Sequence, residues 1–249
     1  MSNKLWNWGH LETSHNALVK QDCKMTMPEF AKEYNVPNSF VVSYGGNIQP
    51  PFDDLAEKLS SIENIKWSIL GDASSPLPED RLGYTDYIIE LSKKYKNVTG
   101  GVIDDFYSPK RTERFTPEVL TEIRKKLNDN GLDFWAVLYL SNIIEEDIND
   151  YFDCFDGITY WIWDPVDLEK VEEKVEPFLT KFPTKRKMLG IYLWDYERNL
   201  PVEPRLFLRH MDYAKKLLDD GVIEGIVFCS GCIGDADLET NKILKEYFK

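Results

Sequence analysis

The chain has 249 residues, 43% hydrophobic and 13% aromatic, enough to bury a large core and close to the roughly 250 residues of one (β/α)8 barrel. Its formal net charge of −13 excludes nucleic acid as an expected partner, because phosphate backbones are held through clustered Lys and Arg. No apolar run approaches the roughly 20 residues of a membrane helix, and the opening MSNKLWNWGH lacks a secretory signal, so the expectation is a soluble, cytoplasmic chain with no membrane partner.

In chain order, eight short runs rich in Val, Ile, Trp, Tyr and Phe read as strands: KLWNWG from Lys4, SFVVSYG from Ser39, IKWSILG from Ile65, VTGGVID from Val98, DFWAVLYL from Asp133, GITYWIW from Gly157, MLGIYLW from Met188 and IEGIVFC from Ile223. Amphipathic segments stand between them. The long loop LETSHNALVKQDCKMT leads to a helix MPEFAKEYN with Pro28 in its first turn, and PPFDDLAEKLSSIE follows the second strand. TPEVLTEIRKKLNDNG starts on Thr116 and Pro117 and stops at Gly131. EEDINDYFDCF is the expected fifth helix, and DPVDLEKVEEKVEPFLTKF, EPRLFLRHMDYAKKLLDDG and DADLETNKILKEYF complete the series, with Gly221 as a further stop. This βαβα order predicts a parallel sheet closed into a single (β/α)8 TIM barrel spanning 1–249 as one domain. No G-x-G-x-x-G or G-x-x-x-x-G-K-[ST] loop follows any strand, so no nucleotide cofactor is expected. The basic cluster KFPTKRK, Lys181 to Lys187, reads as a solvated turn, and His210 as an ordinary helix position.

Four cysteines are too few for a disulfide scaffold. CSGC, Cys229 to Cys232, has the spacing of a redox pair or half a zinc site, but zinc needs two further ligands and the chain has three histidines. Ordinary cysteines near a strand end, and no metal, are the expectation.

Strand residues alternate faces, so polar and glycine positions choose the side that meets the barrel axis. That parity sends Trp6, Trp8 and His10 inward from the first strand, Ser68, Leu70 and Asp72 from the third, and Thr99, Gly101, Ile103 and Asp105 from the fourth. The fifth sends Tyr139, the sixth Thr159, Trp161 and Trp163, and the seventh Gly190, Tyr192 and Trp194. Asp104 is expected to point sideways and brace a loop. The C-terminal strand ends, where such barrels carry their sites, then hold Trp8, His10, Asp72, Asp105, Tyr139, Trp161, Trp163, Tyr192, Trp194 and Cys229, with Glu12, Tyr44, Asp164, Asp195 and Glu197 close behind in the loops. Rings interleaved with carboxylates suit a small carbohydrate or glycoside: Trp and Tyr faces take the apolar side of a sugar, and acids take its hydroxyls.

Glycoside hydrolysis needs two carboxyl groups flanking the scissile bond. Asp105 is the expected general acid and Asp195 or Glu197 its partner across the mouth. In this the chain resembles the TIM-barrel glycoside hydrolases, whose catalytic acids commonly end the fourth and seventh strands, and GGVIDDF is similar to the acid-rich fourth-strand motif of the chitinase-like barrels. It has neither an Asn-Glu pair on that strand nor the terminal Glu of the chitinase-like motif. Two alternatives stand beside hydrolysis. One is a metal-dependent sugar isomerase or epimerase, with His10, Glu12, Asp72 and Asp105 around Mg²⁺ or Mn²⁺. The other is a barrel that binds sugar or a protein without catalysis. No H-x-H ends the first strand and no G-x-S-x-G elbow exists, which counts against a zinc amidohydrolase and a serine nucleophile.

Overall fold

The computed structural model describes residues 2–144 and 148–248. Eight strands, β1 (Leu5–Gly9), β2 (Asn38–Val41), β3 (Asn64–Ser68), β4 (Val98–Ile103), β5 (Asp133–Tyr139), β6 (Gly157–Trp161), β7 (Arg186–Tyr192) and β8 (Gly225–Cys229), pair in parallel and in chain order. β8 pairs with β1 and closes the (β/α)8 barrel. Every expected strand is present. Several ladders stop before their apolar run does, because Ile69, Leu70 and Ile162 leave the sheet yet stay buried in the layer between strands and helices.

Among the described residues the α-helices of five residues or more are α1 (Met27–Tyr34), α2 (Asp53–Lys58), α3 (Thr85–Lys94), α4 (Pro117–Asn128), α5 (Leu140–Ile144), α6 (Val171–Lys181), α7 (Pro204–Asp219) and α8 (Glu239–Tyr247). α1 opens on a capping box in which Thr26 and Glu29 satisfy each other's main-chain N–H. Thr116 caps α4, and Gly131 follows that helix with φ of +74°. The expected fifth helix is corrected. α5 runs straight on from β5, and the EEDINDYFDCF segment contains a 3₁₀ turn, Asn149–Cys154, with 145–147 outside the described residues. No described helix is long and apolar enough to cross a membrane.

The barrel interior is filled by Trp6, Trp8, Phe40, Val42, Val102, Trp135, Val137, Trp161, Met188, Val227 and Cys229, a core separate from the one between strands and helices. Ring centroids lie 5.0 Å apart for Trp8 and Phe40 and 5.4 Å for Trp8 and Trp161. Such bulk fits only where neighbouring strands give way. Trp161 lies where a side chain at Gly190 would stand, and Trp135 does the same over Gly157.

Beneath the rings, Lys66 points inward and is buried, with Nζ 2.5 Å from Asp133 Oδ1 and 3.2 Å from Thr99 Oγ1. Arg186 bonds the other Asp133 oxygen at 2.7 Å and grips Glu224 with two nitrogens. A buried ammonium is tolerable only when paired in this way. The reading of KFPTKRK as a solvated turn fails at Lys187. Its side chain is buried and Nζ donates to the carbonyls of Phe182 and Lys185 at 2.8 and 2.7 Å, sealing the end of α6.

The register between β3 and β4 slips by one residue: Ile65 faces Val98 and Lys66 faces Gly100, so Thr99 is skipped. This bulge inverts the expected phase of β4 from that point on. Val102 joins the barrel interior, whereas Ile103 packs under the helices and a Cβ on Gly101 would meet Leu127 and Ile69. Leu70 likewise packs outward rather than along the axis.

Two outcomes follow from this packing. Gly190→Ala drives a methyl into Trp161 and should lower stability by about 1–3 kcal/mol in urea unfolding. His210 is buried on α7 with Nε2 unpartnered, and burial lowers its pKa to about 3. The unfolded state therefore takes up a proton near pH 6.5 that the folded state refuses, and stability falls as pH drops from 6.5 toward 3. His210→Leu should flatten that part of a melting-temperature profile.

Candidate functional site

At the C-terminal end of the barrel a cavity of about 130 Å³ sits on the aromatic filling. Of the residues expected there, Trp8, His10, Tyr44, Asp72, Asp105, Tyr139, Trp161, Trp163, Tyr192 and Cys229 line it. Asp104, His15, Tyr196 and Val137 complete the wall. A neighbouring cavity of about 450 Å³ shares Asp105, Tyr139, Val137 and Trp163, so Asp105 stands where the two meet.

Five expected site residues do not line either cavity, among them Asp164, which accepts from the Arg198 guanidinium at 2.8 and 3.0 Å. Glu12 is exposed on the loop after β1. Trp194 turns into the outer core, because the chain leaves the barrel after Tyr192 and pairs Trp194 with Pro201 in a short antiparallel bridge. Asp195 is buried in that bridge and accepts from the Arg198 main chain at 2.9 Å and its guanidinium at 3.2 Å. Glu197 is exposed and holds the Trp163 indole N–H at 2.5 Å, thereby orienting a ring that is itself 42% exposed. Neither acid faces Asp105 across the mouth as expected.

The acids that do converge are Asp72, Asp104 and Asp105. The β4 bulge turns Asp104 toward the cavity, which corrects its expected sideways placement. Asp105 follows with φ of +44°, a left-handed conformation that costs of the order of 1 kcal/mol and brings the second carboxylate to the same space. Its oxygens accept from the Tyr139 hydroxyl at 2.9 Å and the Ala73 N–H at 3.1 Å. Asp72 is held by the Ser74 and Ser75 hydroxyls, each approaching to 2.7 Å. Buried Arg111 clamps the two strand ends together by donating to the carbonyls of Gly71, Asp104 and Asp72.

Burial, then the charges of Asp105 and Asp72, push the Asp104 carboxyl well above the ordinary aspartate range, with Arg111 offsetting part of the effect. Burial and the nearby Tyr192 and Asp105 likewise keep Tyr139 a neutral phenol that donates. On the opposite wall, burial lowers His10 well below the usual histidine value and His15 to about 4. His10 Nδ1 lies 2.8 Å from Ser230 Oγ, just past the cis peptide bond that joins Cys229 to Ser230.

Sequence parity missed Asp104, because one skipped residue in β4 leaves no trace in composition. Tyr196 carried a usable signal in the run Tyr192, Trp194, Tyr196, although only its two ends reach the cavity.

No protein-family model and no curated protein sequence matches the chain. Its fold resembles solved structures at low identity. The spore cortex-lytic enzyme SleL of Bacillus megaterium QM B1551 superposes with a TM-score of 0.60 at 12% identity, over 98% of this chain and 74% of that one. A glycoside hydrolase family 18 N-acetylglucosaminidase from Paenibacillus barengoltzii gives 0.58 at 11%, over 98% and 99%. The tryptophan synthase A-subunit of Pyrococcus furiosus gives 0.55 at 12%, over 97% and 94%, so the likeness establishes the barrel and not a reaction.

Because the native pKa of Asp104 lies above its unfolded value, its contribution to stability is complete below about pH 3.9 and declines as pH rises toward the native pKa. Asp104→Asn cannot ionise. Its melting temperature relative to wild type should therefore rise between pH 4 and pH 7, by about 2–4 °C for each kcal/mol relieved.

Proposed function

We propose that the mouth of this barrel hydrolyses a glycosidic bond in a small carbohydrate or glycoside, with Asp104 as general acid and Asp105 as the carboxylate that works with it. The observation that carries the reading is the pair itself: two adjacent acids on one cavity, one buried and raised in pKa, the other spent on accepting hydrogen bonds. Separating the protonation of two carboxyls by environment is how such sites obtain an acid and a base from one residue type.

In this mechanism the Asp104 proton passes to the bridging oxygen as the bond to the anomeric carbon lengthens, and the departing sugar leaves as an alcohol. Asp105, fixed by Tyr139 and Ala73, faces the positive charge that develops on the ring and takes the proton of the water whose oxygen forms the new bond to the anomeric carbon, after which exchange with solvent restores the proton to Asp104. Trp163 and Tyr196, ring centroids 6.3 Å apart and near-parallel, offer flat apolar surfaces to sugar faces. The meeting of two cavities at Asp105 provides room on both sides of the bond. Glycosidases among the structural neighbours support the carbohydrate class without assigning a sugar.

The test is a panel of chromogenic aryl glycosides, beginning with N-acetylglucosaminides, assayed on the wild type and three variants. Asp104→Asn and Asp105→Asn should each cut turnover by about 10²–10⁴-fold with folding intact. Wild-type activity should decline as pH rises through the Asp104 pKa, a limb that Asp104→Asn removes. Trp163→Ala should raise KM before it lowers kcat. Undiminished turnover in both Asn variants, or sugar binding with no turnover across the panel, would discard the assignment.

A further inference from the structure

On the wall opposite the acids, one imidazole nitrogen from each of His10 and His15 and Sγ of Cys232 lie within 4.8 Å of one another. All three residues are buried. They come from the end of β1, the loop after it, and the 3₁₀ turn Gly231–Ile233 after β8, so only closure of the barrel brings them together. We propose that His10, His15 and Cys232 bind one Zn²⁺ ion, with its fourth position open to the mouth cavity.

The donor set selects the metal. Two imidazoles and a thiol suit a borderline cation such as zinc, whereas Mg²⁺ and Mn²⁺ prefer an oxygen-rich cage. Zinc bonds of about 2.0–2.1 Å to nitrogen and 2.3 Å to sulfur place ligands about 3.3–3.8 Å apart, so side-chain shifts of about 1 Å complete the sphere. Three protein ligands with one open position are the pattern of a reactive rather than a structural zinc.

The surroundings are built for ligation. Ser230 Oγ lies 2.8 Å from His10 Nδ1 and 3.2 Å from the Trp8 carbonyl, and Ser14 Oγ lies 2.9 Å from His15 Nδ1 and 2.7 Å from the Leu11 carbonyl. Each hydroxyl gives its proton to a carbonyl and so accepts from the imidazole, an assignment that leaves both Nε2 atoms unprotonated. Outer hydroxyls that hold the far N–H of a histidine are the usual support of a metal ligand. The same hydroxyls lie 3.3 and 3.6 Å from Cys232 Sγ. Binding releases the thiol proton to solvent, and Zn²⁺ with one thiolate leaves a net charge of +1 beside the acids Asp72, Asp104 and Asp105 of the same cavity.

Of the oxygen-rich set read from the sequence, His10, Asp72 and Asp105 line the cavity and Glu12 does not. The zinc inference does not depend on glycoside hydrolysis, and its test reads metal instead of turnover. Protein stripped with chelator and titrated with Zn²⁺ against a chromophoric competitor should take up one equivalent, and Mg²⁺ should not compete. Cys232→Ser and His15→Ala, checked for folding by circular dichroism, should each bind about 100-fold more weakly or not at all. Co²⁺ in the same protein should show a thiolate charge-transfer band that Cys232→Ser abolishes. Folded wild type that takes up no stoichiometric Zn²⁺, or equal affinity in both variants, would overturn the proposal.

Discussion

The solid interior of the barrel is the constraint on which the mouth depends. Trp6, Trp8, Phe40, Trp135 and Trp161 occupy the axis, and Gly157 and Gly190 withdraw to admit the largest of them. The rings fix the depth at which His10, Tyr139 and Tyr192 emerge, because His10 stands one alternation above Trp8, Tyr139 above Val137, and Tyr192 above Gly190, whose space Trp161 fills. Below them, Lys66 and Asp133 close the other end with a paired charge that could not be left single.

On this platform one backbone irregularity determines the chemistry. With β3 and β4 in unbroken register, Asp104 would face the helices and Asp105 alone the cavity. The skip at Thr99 turns Asp104 inward, and the left-handed turn at Asp105 keeps the second carboxylate beside it. Two like charges at such a site cannot both ionise freely, and the buried one yields. Arg111 donates to main-chain carbonyls in this cluster, so it ties β3 to β4 while the carboxylate oxygens of Asp72 and Asp105 bond Ser74, Ser75, Tyr139 and Ala73 instead.

The architecture was legible in the sequence because it rests on repetition: eight apolar runs, capped helices at Thr26 and Thr116, and glycine stops. Most of the mouth was legible for the same reason, since Trp8, His10, Tyr139, Trp161, Trp163 and Tyr192 keep the alternation of their strands. The failures occur where alternation ends. Trp194 and Asp195 follow the point at which the chain leaves β7, and Glu197 lies further along that excursion. Asp104 lies beyond a bulge, and His15 and Cys232 meet through loops whose paths no periodicity encodes. The cysteine spacing raised zinc and the count of histidines argued against it; closure of the barrel brings His10 and His15 near Cys232 but not near both cysteines of that pair.

The aromatic filling also governs traffic. Trp8 and Trp161 seal the cavity beneath, so whatever enters from the mouth also leaves by the mouth. Nothing that enters there can thread the barrel and leave at its other end, which the rings and the Lys66–Asp133 pair close.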